Sequence, residues 1–162
     1  MTSVKGLKMK SIFLIAVSIS TPCLANFDGT HETNRGNGQF FKTHFTTSDN
    51  SQFHIGCGIG TDKKGFTIIG LKHPRLYPWY GVSDIELAVD GGQKVKIKGG
   101  TKRYDDMYYA KNPPKEVLDQ IFNGNSVEVL LFNREERITF SLNGSKAIYN
   151  SLWERCMLPT YE

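Results

Sequence analysis

Three cysteines are the residues of this sequence whose chemistry is easiest to assign. Cys23 lies within a predicted N-terminal leader, and removal of the leader leaves Cys57 and Cys156. Two cysteines in an exported chain favour one disulfide, with two buried free thiols as the alternative. A paired Cys57 is not a nucleophile, and the glycines around it lack the strand-then-helix context of a phosphate-binding loop.

The histidines and the adjacent acids do not form a catalytic or metal-binding pattern. His44 and His54 are expected to be diagonal neighbours on an exposed sheet face, but no third ligand accompanies them. Asp105 and Asp106 are adjacent on an expected strand, so their carboxylates would point to opposite faces and could not flank one scissile bond. We therefore predict no catalytic residue, no cofactor and no metal ligand, and we do not expect an enzyme.

Two aromatic-rich segments are the predicted partner-binding sites. Each combines several rings with loop or turn residues, and their members are Tyr77, Trp79, Tyr80, Tyr104, Tyr108 and Tyr109. Exposed aromatic side chains supply rigid contact area at a low cost in side-chain entropy. The alternative is that these rings pack into the ends of the fold.

The net charge gives no support to a nucleic-acid partner. The chain has 20 Lys and Arg residues against 16 Asp and Glu, and three of the lysines lie in the predicted leader. The mature chain would therefore carry 17 basic and 16 acidic residues, a net charge of +1. One row of basic residues is predicted, and its members are Lys94, Lys96, Lys98, Lys102 and Arg103. Outward lysines on an edge strand more often prevent aggregation than bind an anionic surface.

Residues 1–25 have the pattern of a secretory signal peptide. A group of three lysines precedes the apolar run 12–20, and small residues lead up to Ala25. A membrane-spanning helix needs about 20 apolar residues, roughly twice the length of this run. We therefore predict cleavage after Ala25, with Met9 as an alternative start, and a periplasmic or secreted mature protein without a membrane-spanning segment.

The rest of the chain alternates apolar and polar residues over short runs, which is typical of antiparallel strands. The predicted strands cover residues 41–47, 53–59, 65–72, 82–89, 93–98, 104–109, 127–132 and 137–142. The spacing of apolar residues predicts helices over 115–123 and 145–155, the second capped by Ser145. Residues 26–39 are expected to be a flexible arm. Residues 40–162 are expected to form one mostly-β domain, an antiparallel β-sandwich or strongly curved sheet with the C-terminal helix packed on it.

The first hairpin has two candidate registers. A three-residue turn at 49–51 would place Phe45 opposite Ile55 and put Cys57 in the core. A two-residue turn would bring Lys42 and His44 to the buried side. We therefore predict the three-residue turn.

The C-terminal part of the chain resembles the ending of the invasion-associated locus B family. The similar segments are the strand 127–132, the stretch 138–145 (ITFSLNGS) and the helix that runs to Cys156. The preceding helix, 114–122, is similar as well. The resemblance implies a periplasmic or outer-surface β-sandwich protein with a role in the envelope or in host interaction, and it carries over no catalytic residue.

Taken together, these features favour an exported, non-catalytic protein that binds a protein or another component of the cell envelope. The second hypothesis is a periplasmic inhibitor or immunity protein that blocks a toxin or a cell-wall hydrolase. A hydrolase is the third, and a deep polar cleft would favour it.

Overall fold

The computed structural model describes residues 27–35, 38–76, 81–101 and 107–156, so the predicted leader lies outside the described residues. The strands are β1 (Gly29–Arg35), β2 (Gln39–Ser48), β3 (Ser51–Ile59), β4 (Gly65–Lys72), β5 (Gly81–Val89), β6 (Val95–Thr101), β7 (Met107–Lys111), β8 (Ser126–Leu131) and β9 (Glu136–Ser141). The α-helices are α1 (Lys115–Asn123) and α2 (Ser145–Cys156), and two short 3-10 turns cover Pro74–Leu76 and Phe132–Arg134.

The nine strands of the described residues form one antiparallel sheet in the order β1-β2-β3-β4-β7-β6-β5-β8-β9. The sheet is not closed, because among the described strands β1 and β9 each have one neighbour. It is strongly curved: Phe53 of β3 and Phe140 of β9 have ring centroids 5.7 Å apart, whereas six strand steps in a flat sheet would separate them by about 29 Å. The predicted mostly-β antiparallel fold with a strongly curved sheet is therefore confirmed.

The core lies on the concave face of the sheet, and both helices cover it. The apolar stripe predicted for α1 is buried and consists of Val117, Leu118, Ile121 and Phe122. Helix α2 packs against β2 and β3 with Ile148, Leu152 and Cys156 buried. Ser145 does not use its side chain as a cap, because its hydroxyl donates to the Ile121 carbonyl at 2.9 Å and so joins the two helices.

The Cys57–Cys156 disulfide is present. Cys57 lies in the middle of β3 and Cys156 is the last residue of α2, with their Cα atoms 6.1 Å apart. Both residues are fully buried. The disulfide therefore fixes the C-terminal end of α2 against the sheet.

The predicted register of the first hairpin is wrong. Ser48 pairs with Ser51 and Phe45 lies opposite His54, so the turn has two residues, Asp49 and Asn50. Both have positive φ, 45° and 61°, as a type I′ turn requires, and this turn matches the right-handed twist of the two strands. Asp and Asn adopt this conformation more readily than other non-glycine residues, so the local turn geometry decides the register.

The N-terminal arm is a second correction. Residues 29–35 are not a loose segment but the edge strand β1, paired with β2 along its full length. This strand supplies partners for the two polar residues that the new register turns toward the core side. The Glu32 carboxylate lies 3.8 Å from the Lys42 ammonium, and the Thr30 hydroxyl lies 3.1 Å from His44 Nδ1.

Strand β6 also departs from prediction, since it continues through Gly99 and Gly100 to Thr101. A Cβ atom at Gly99 would overlap the Tyr108 ring and the Tyr109 carbonyl oxygen, so glycine permits close packing there rather than ending the strand. Strand β6 lies between β5 and β7. It pairs with β7 only at Gly100 and Thr101, so the stretch with Lys96 and Lys98 pairs with β5 alone.

A candidate binding groove on the outer face

The outer face of the sheet carries a groove over β1, β2, β3, β4 and β7. Side chains on a strand alternate between faces, and the register places Phe41, Thr43 and Phe45 on the face opposite to Cys57. The groove has a volume of about 250 Å³. Nine residues line it: His31, Phe41, Thr43, Phe45, Gln52, His54, Lys72, Met107 and Tyr109.

The depth of the groove comes from a residue without a side chain at its floor. Phe45, His54, Gly70 and Tyr109 are aligned across β2, β3, β4 and β7. A Cβ atom at Gly70 would lie 3.1 Å from the His54 Cβ and 3.5 Å from the Met107 sulfur. Glycine therefore leaves a depression between His54 on one side and Tyr109 on the other.

The floor is polar and its hydrogen bonds are fixed. Thr43 Oγ1 lies 3.2 Å from His54 Nδ1, and Gln52 Oε1 lies 3.2 Å from His54 Nε2. Because the amide oxygen of Gln52 only accepts, Nε2 carries the proton of His54 and Nδ1 accepts from the Thr43 hydroxyl. Because the amide oxygen of Gln52 faces His54, the amide nitrogen is the group of this side chain that is left to donate a hydrogen bond.

His54 is held neutral by its surroundings. It is 4 % exposed, and burial, assisted by the nearby charges of His31 and Lys72, lowers its pKa to about 4. At neutral pH this imidazole contributes hydrogen bonds and ring surface to the groove but no charge.

Aromatic side chains form one end of the groove. The rings of Phe41 and Tyr109 meet edge to face, with centroids 6.1 Å apart and an interplanar angle of 76°. His31 meets Phe41 in the same way at 6.3 Å. Edge-to-face packing fixes the orientation of such rings, and the aromatic end is therefore an ordered, half-exposed apolar surface.

The outer face of the remaining strands is chemically different. Lys96 and Lys98 of β6 lie directly opposite Glu86 and Asp84 of β5. Arg134 bonds Glu86 at 2.8 Å and Arg137 bonds Glu128 at 3.0 Å. Two members of the predicted basic row, Lys96 and Lys98, therefore lie opposite acids, while Lys102 and Arg103 lie outside the described residues.

Of the six predicted partner-binding residues, four lie outside the described residues, one is buried and one lines the groove. Tyr77, Trp79, Tyr80 and Tyr104 lie outside the described residues. The prediction that Tyr108 binds a partner is wrong, because its side chain is fully buried. Its hydroxyl donates to the Ile97 carbonyl at 2.7 Å. Its neighbour Tyr109 faces outward, as strand alternation requires, and lines the groove.

The predicted proximity of His44 and His54 is also wrong, because in the observed register they point to opposite faces of the sheet. Burial and the nearby Lys42 charge lower the pKa of His44. Within the described part of the chain, no group of three or more His, Cys, Asp or Glu residues could hold a metal ion.

The sequence prediction missed Phe41 and Phe45 as groove residues because it assigned them to the core. The signal that could have found them is the Asp49-Asn50 pair, which is compatible with a two-residue type I′ turn. That turn reverses the face on which both phenylalanines lie.

Neither helix in the described ranges is long and apolar enough to cross a membrane.

Comparisons of this chain with protein-family models, with curated proteins and with solved structures each gave no match.

Proposed function

We propose that this protein is an exported, non-catalytic binding protein of the periplasm or cell envelope that holds its partner in the outer groove. The observation that carries the proposal is the contrast between the two halves of the outer face. One half presents ordered aromatic rings around a neutral polar floor, whereas the other presents charges paired with opposite charges. A half-exposed aromatic surface with a few fixed polar groups has the composition of a binding site.

Two further features support the export part of the proposal. A disulfide between fully buried cysteines persists in oxidising compartments such as the periplasm. The first 25 residues have the composition of a leader that is removed on export. Mass spectrometry of the protein purified from cells should find a mature chain beginning at Asn26, and an intact N-terminus would contradict export.

The binding part is tested by capture from an envelope extract with the tagged mature protein. Phe41→Thr combined with Tyr109→Thr removes the aromatic end but retains residues suited to strands. Lys96→Thr combined with Lys98→Thr changes two outward positions on the other half and is the matched control. Thermal unfolding should show that both double variants are folded.

We expect the wild-type protein and the lysine double variant to retain the same saturable partner, identified by mass spectrometry, and the aromatic double variant to lose it. Equal capture by a folded aromatic double variant would show that the partner binds elsewhere, and the proposed function of the groove would then be wrong.

A further inference from the structure

We infer that the free edge of β1, the backbone edge that faces away from β2, binds an extended segment of a partner protein. The segment adds to the sheet as a further strand, and one of its side chains lies beside His31 at the aromatic end of the groove. This inference rests on the proposed binding function and names the form in which the partner is recognised.

The hydrogen-bonding pattern of the first hairpin shows which residues of β1 bond to β2. Ser48 and Ser51 flank the two-residue turn and form the hydrogen-bonded pair that closes it. Because such pairs alternate along antiparallel strands, the even-numbered residues of β2 bond to β3 and the odd-numbered ones bond to β1. The Asp28 amide agrees with this pattern, since it donates to the Phe45 carbonyl at 2.8 Å. The odd-numbered residues of β1, which lie opposite odd-numbered residues of β2, are therefore the ones bonded to it.

The backbone groups of the even-numbered residues of β1 point outward. These residues are Thr30, Glu32 and Asn34, and all three are exposed. Their backbone N–H and C=O groups make no hydrogen bond with any other described residue. The other edge strand, β9, lies near β2 but does not pair with β1. A row of unpaired donors and acceptors of this kind is the surface to which an extended chain adds.

Strand β1 lacks the features that usually protect a sheet edge. It is seven residues long, contains neither proline nor lysine, and pairs with β2 one residue to one from Gly29 to Arg35, without a bulge. Glu32 at its centre is balanced by Lys42 at 3.8 Å and Arg155 at 3.4 Å. Its carboxylate therefore does not leave an isolated charge that would repel another strand.

The position of Glu32 favours a different protein over a second copy of this chain. Two antiparallel copies of β1 that overlap along the whole strand would pair about its central residue. Glu32 of one copy would then lie directly opposite Glu32 of the other, and like charges in opposite positions are destabilising. The strand of a partner protein is not restricted in this way.

The groove indicates what the added strand carries on the outer face. His31 faces outward and is exposed, and its ring meets Phe41 with centroids 6.3 Å apart. The Thr33 hydroxyl, 3.3 Å from His31 Nε2, holds this ring. The aromatic end of the groove thus extends to the free edge, where an aromatic residue opposite His31 would be about 5 Å away. We expect the partner segment to alternate apolar residues on the groove side with polar residues on the other.

The probe is a peptide in which threonine and valine alternate, with phenylalanine at the centre and a lysine at each end. Its counterpart is the same peptide with N-methyl groups on the central residues, which cannot pair as a strand. In the free mature protein, the amides of Thr30, Glu32 and Asn34 should exchange with solvent faster than those of His31 and Thr33 in NMR. Excess peptide should slow the exchange of the three outward amides about tenfold or more, and the methylated peptide should not.

A pair of variants at Asn34 tests the edge from the side of the protein. Asn34→Pro removes one outward donor, and proline is tolerated on an edge strand where its nitrogen faces solvent. Asn34→Ala keeps the N–H group and is the matched control. The proline variant should bind the peptide about tenfold more weakly, and the alanine variant should bind it as the wild type does. Thermal unfolding should show that both are folded, and the methylated peptide decides the question if the proline variant is not.

Three results would overturn the inference. The first is no binding of the peptide at millimolar concentration, or binding that leaves the exchange of the outward amides unchanged. The second is equal affinity of the two folded Asn34 variants. The third is protection of the same amides that rises with protein concentration in the absence of peptide, because a second copy would then occupy the edge.

These outcomes are separable from those of the capture experiment. If the aromatic double variant loses its envelope partner while a folded Asn34→Pro variant retains it, the groove function stands and the assignment of the edge fails. If both lose it while Asn34→Ala retains it, the partner uses the groove and the edge together.

Discussion

Removal of the Cys57–Cys156 disulfide should lower the free energy of unfolding by about 4–5 kcal/mol. The two cysteines are 99 positions apart, and the chain-entropy relation gives about 4.7 kcal/mol for a loop of ~100 residues. Domains of this size are stable by only about 5–15 kcal/mol. The melting temperature should accordingly fall by about 10–20 °C.

The assay compares denaturant unfolding of the wild-type protein with that of the double variant Cys57→Ala with Cys156→Ala, each with and without reductant. Reduction should bring the wild-type midpoint toward that of the double variant, whereas the double variant should not respond to reductant and so serves as the control. Because Cys156 ends α2, amide exchange in the last turn of that helix should increase.

Two results would refute this reasoning. One is a double variant whose free energy of unfolding lies within about 1 kcal/mol of the wild-type value, since the loop term alone exceeds that difference. The other is alkylation of both thiols in the native, unreduced protein, because a disulfide between buried cysteines has no free thiol to react.

Three smaller perturbations test other parts of the structure. The pKa of His54 is about 4 in the folded protein and about 6.5 when unfolded, so the unfolded chain binds more protons between these pH values. The contribution of His54 to the free energy of unfolding should be fully present above pH ~6.5. It should fall by about 3 kcal/mol as the pH falls toward ~4. His54→Gln should flatten that part of the pH profile of the melting temperature, and an unchanged profile would contradict a neutral His54. Asn50→Val should destabilise the protein by about 1–2 kcal/mol in denaturant unfolding because φ at this position is 61°, whereas the control Asn50→Gly should not, and equal stability of the two variants would contradict the two-residue turn. Gly99→Ala should cost about 1–3 kcal/mol by displacing the Tyr108 ring, which near-UV circular dichroism and thermal unfolding can measure; a wild-type melting temperature would contradict the close packing.

Local sequence patterns predicted both helices, the disulfide and every described strand except β1, because each of these depends on neighbours or on residue type. The apolar spacing predicted α1, and the prolines before it and Gly124 after it gave its bounds, Lys115–Asn123. The count of cysteines left by the predicted leader identified the Cys57–Cys156 pair. Strand β1 was missed because its residues, Gly29–Arg35, are polar at most positions, and such an edge strand is held by backbone pairing rather than by a buried side-chain row.

The groove was missed for a related reason. A period of two shows which residues share a face of a strand but not which face that is. The prediction gave more weight to the polarity of Lys42 and His44, whose partners lie in β1, than to the Asp49-Asn50 pair, and so chose the wrong face.

Strand β1 therefore connects the fold to the proposed site. In the observed register Lys42 and His44 lie on the core side of β2, where an unpaired charge or imidazole would be costly. Glu32 and Thr30 offset part of that cost from the neighbouring strand, by contacts with Lys42 and with His44 Nδ1. The same register turns Phe41 and Phe45 outward. The contacts from β1 thus allow Lys42 and His44 to lie on the core side of β2. The aromatic end of the groove depends on that register. His31, on the outward face of β1, completes the edge-to-face contact with Phe41. One short strand therefore both permits the register and contributes to the surface that the register creates.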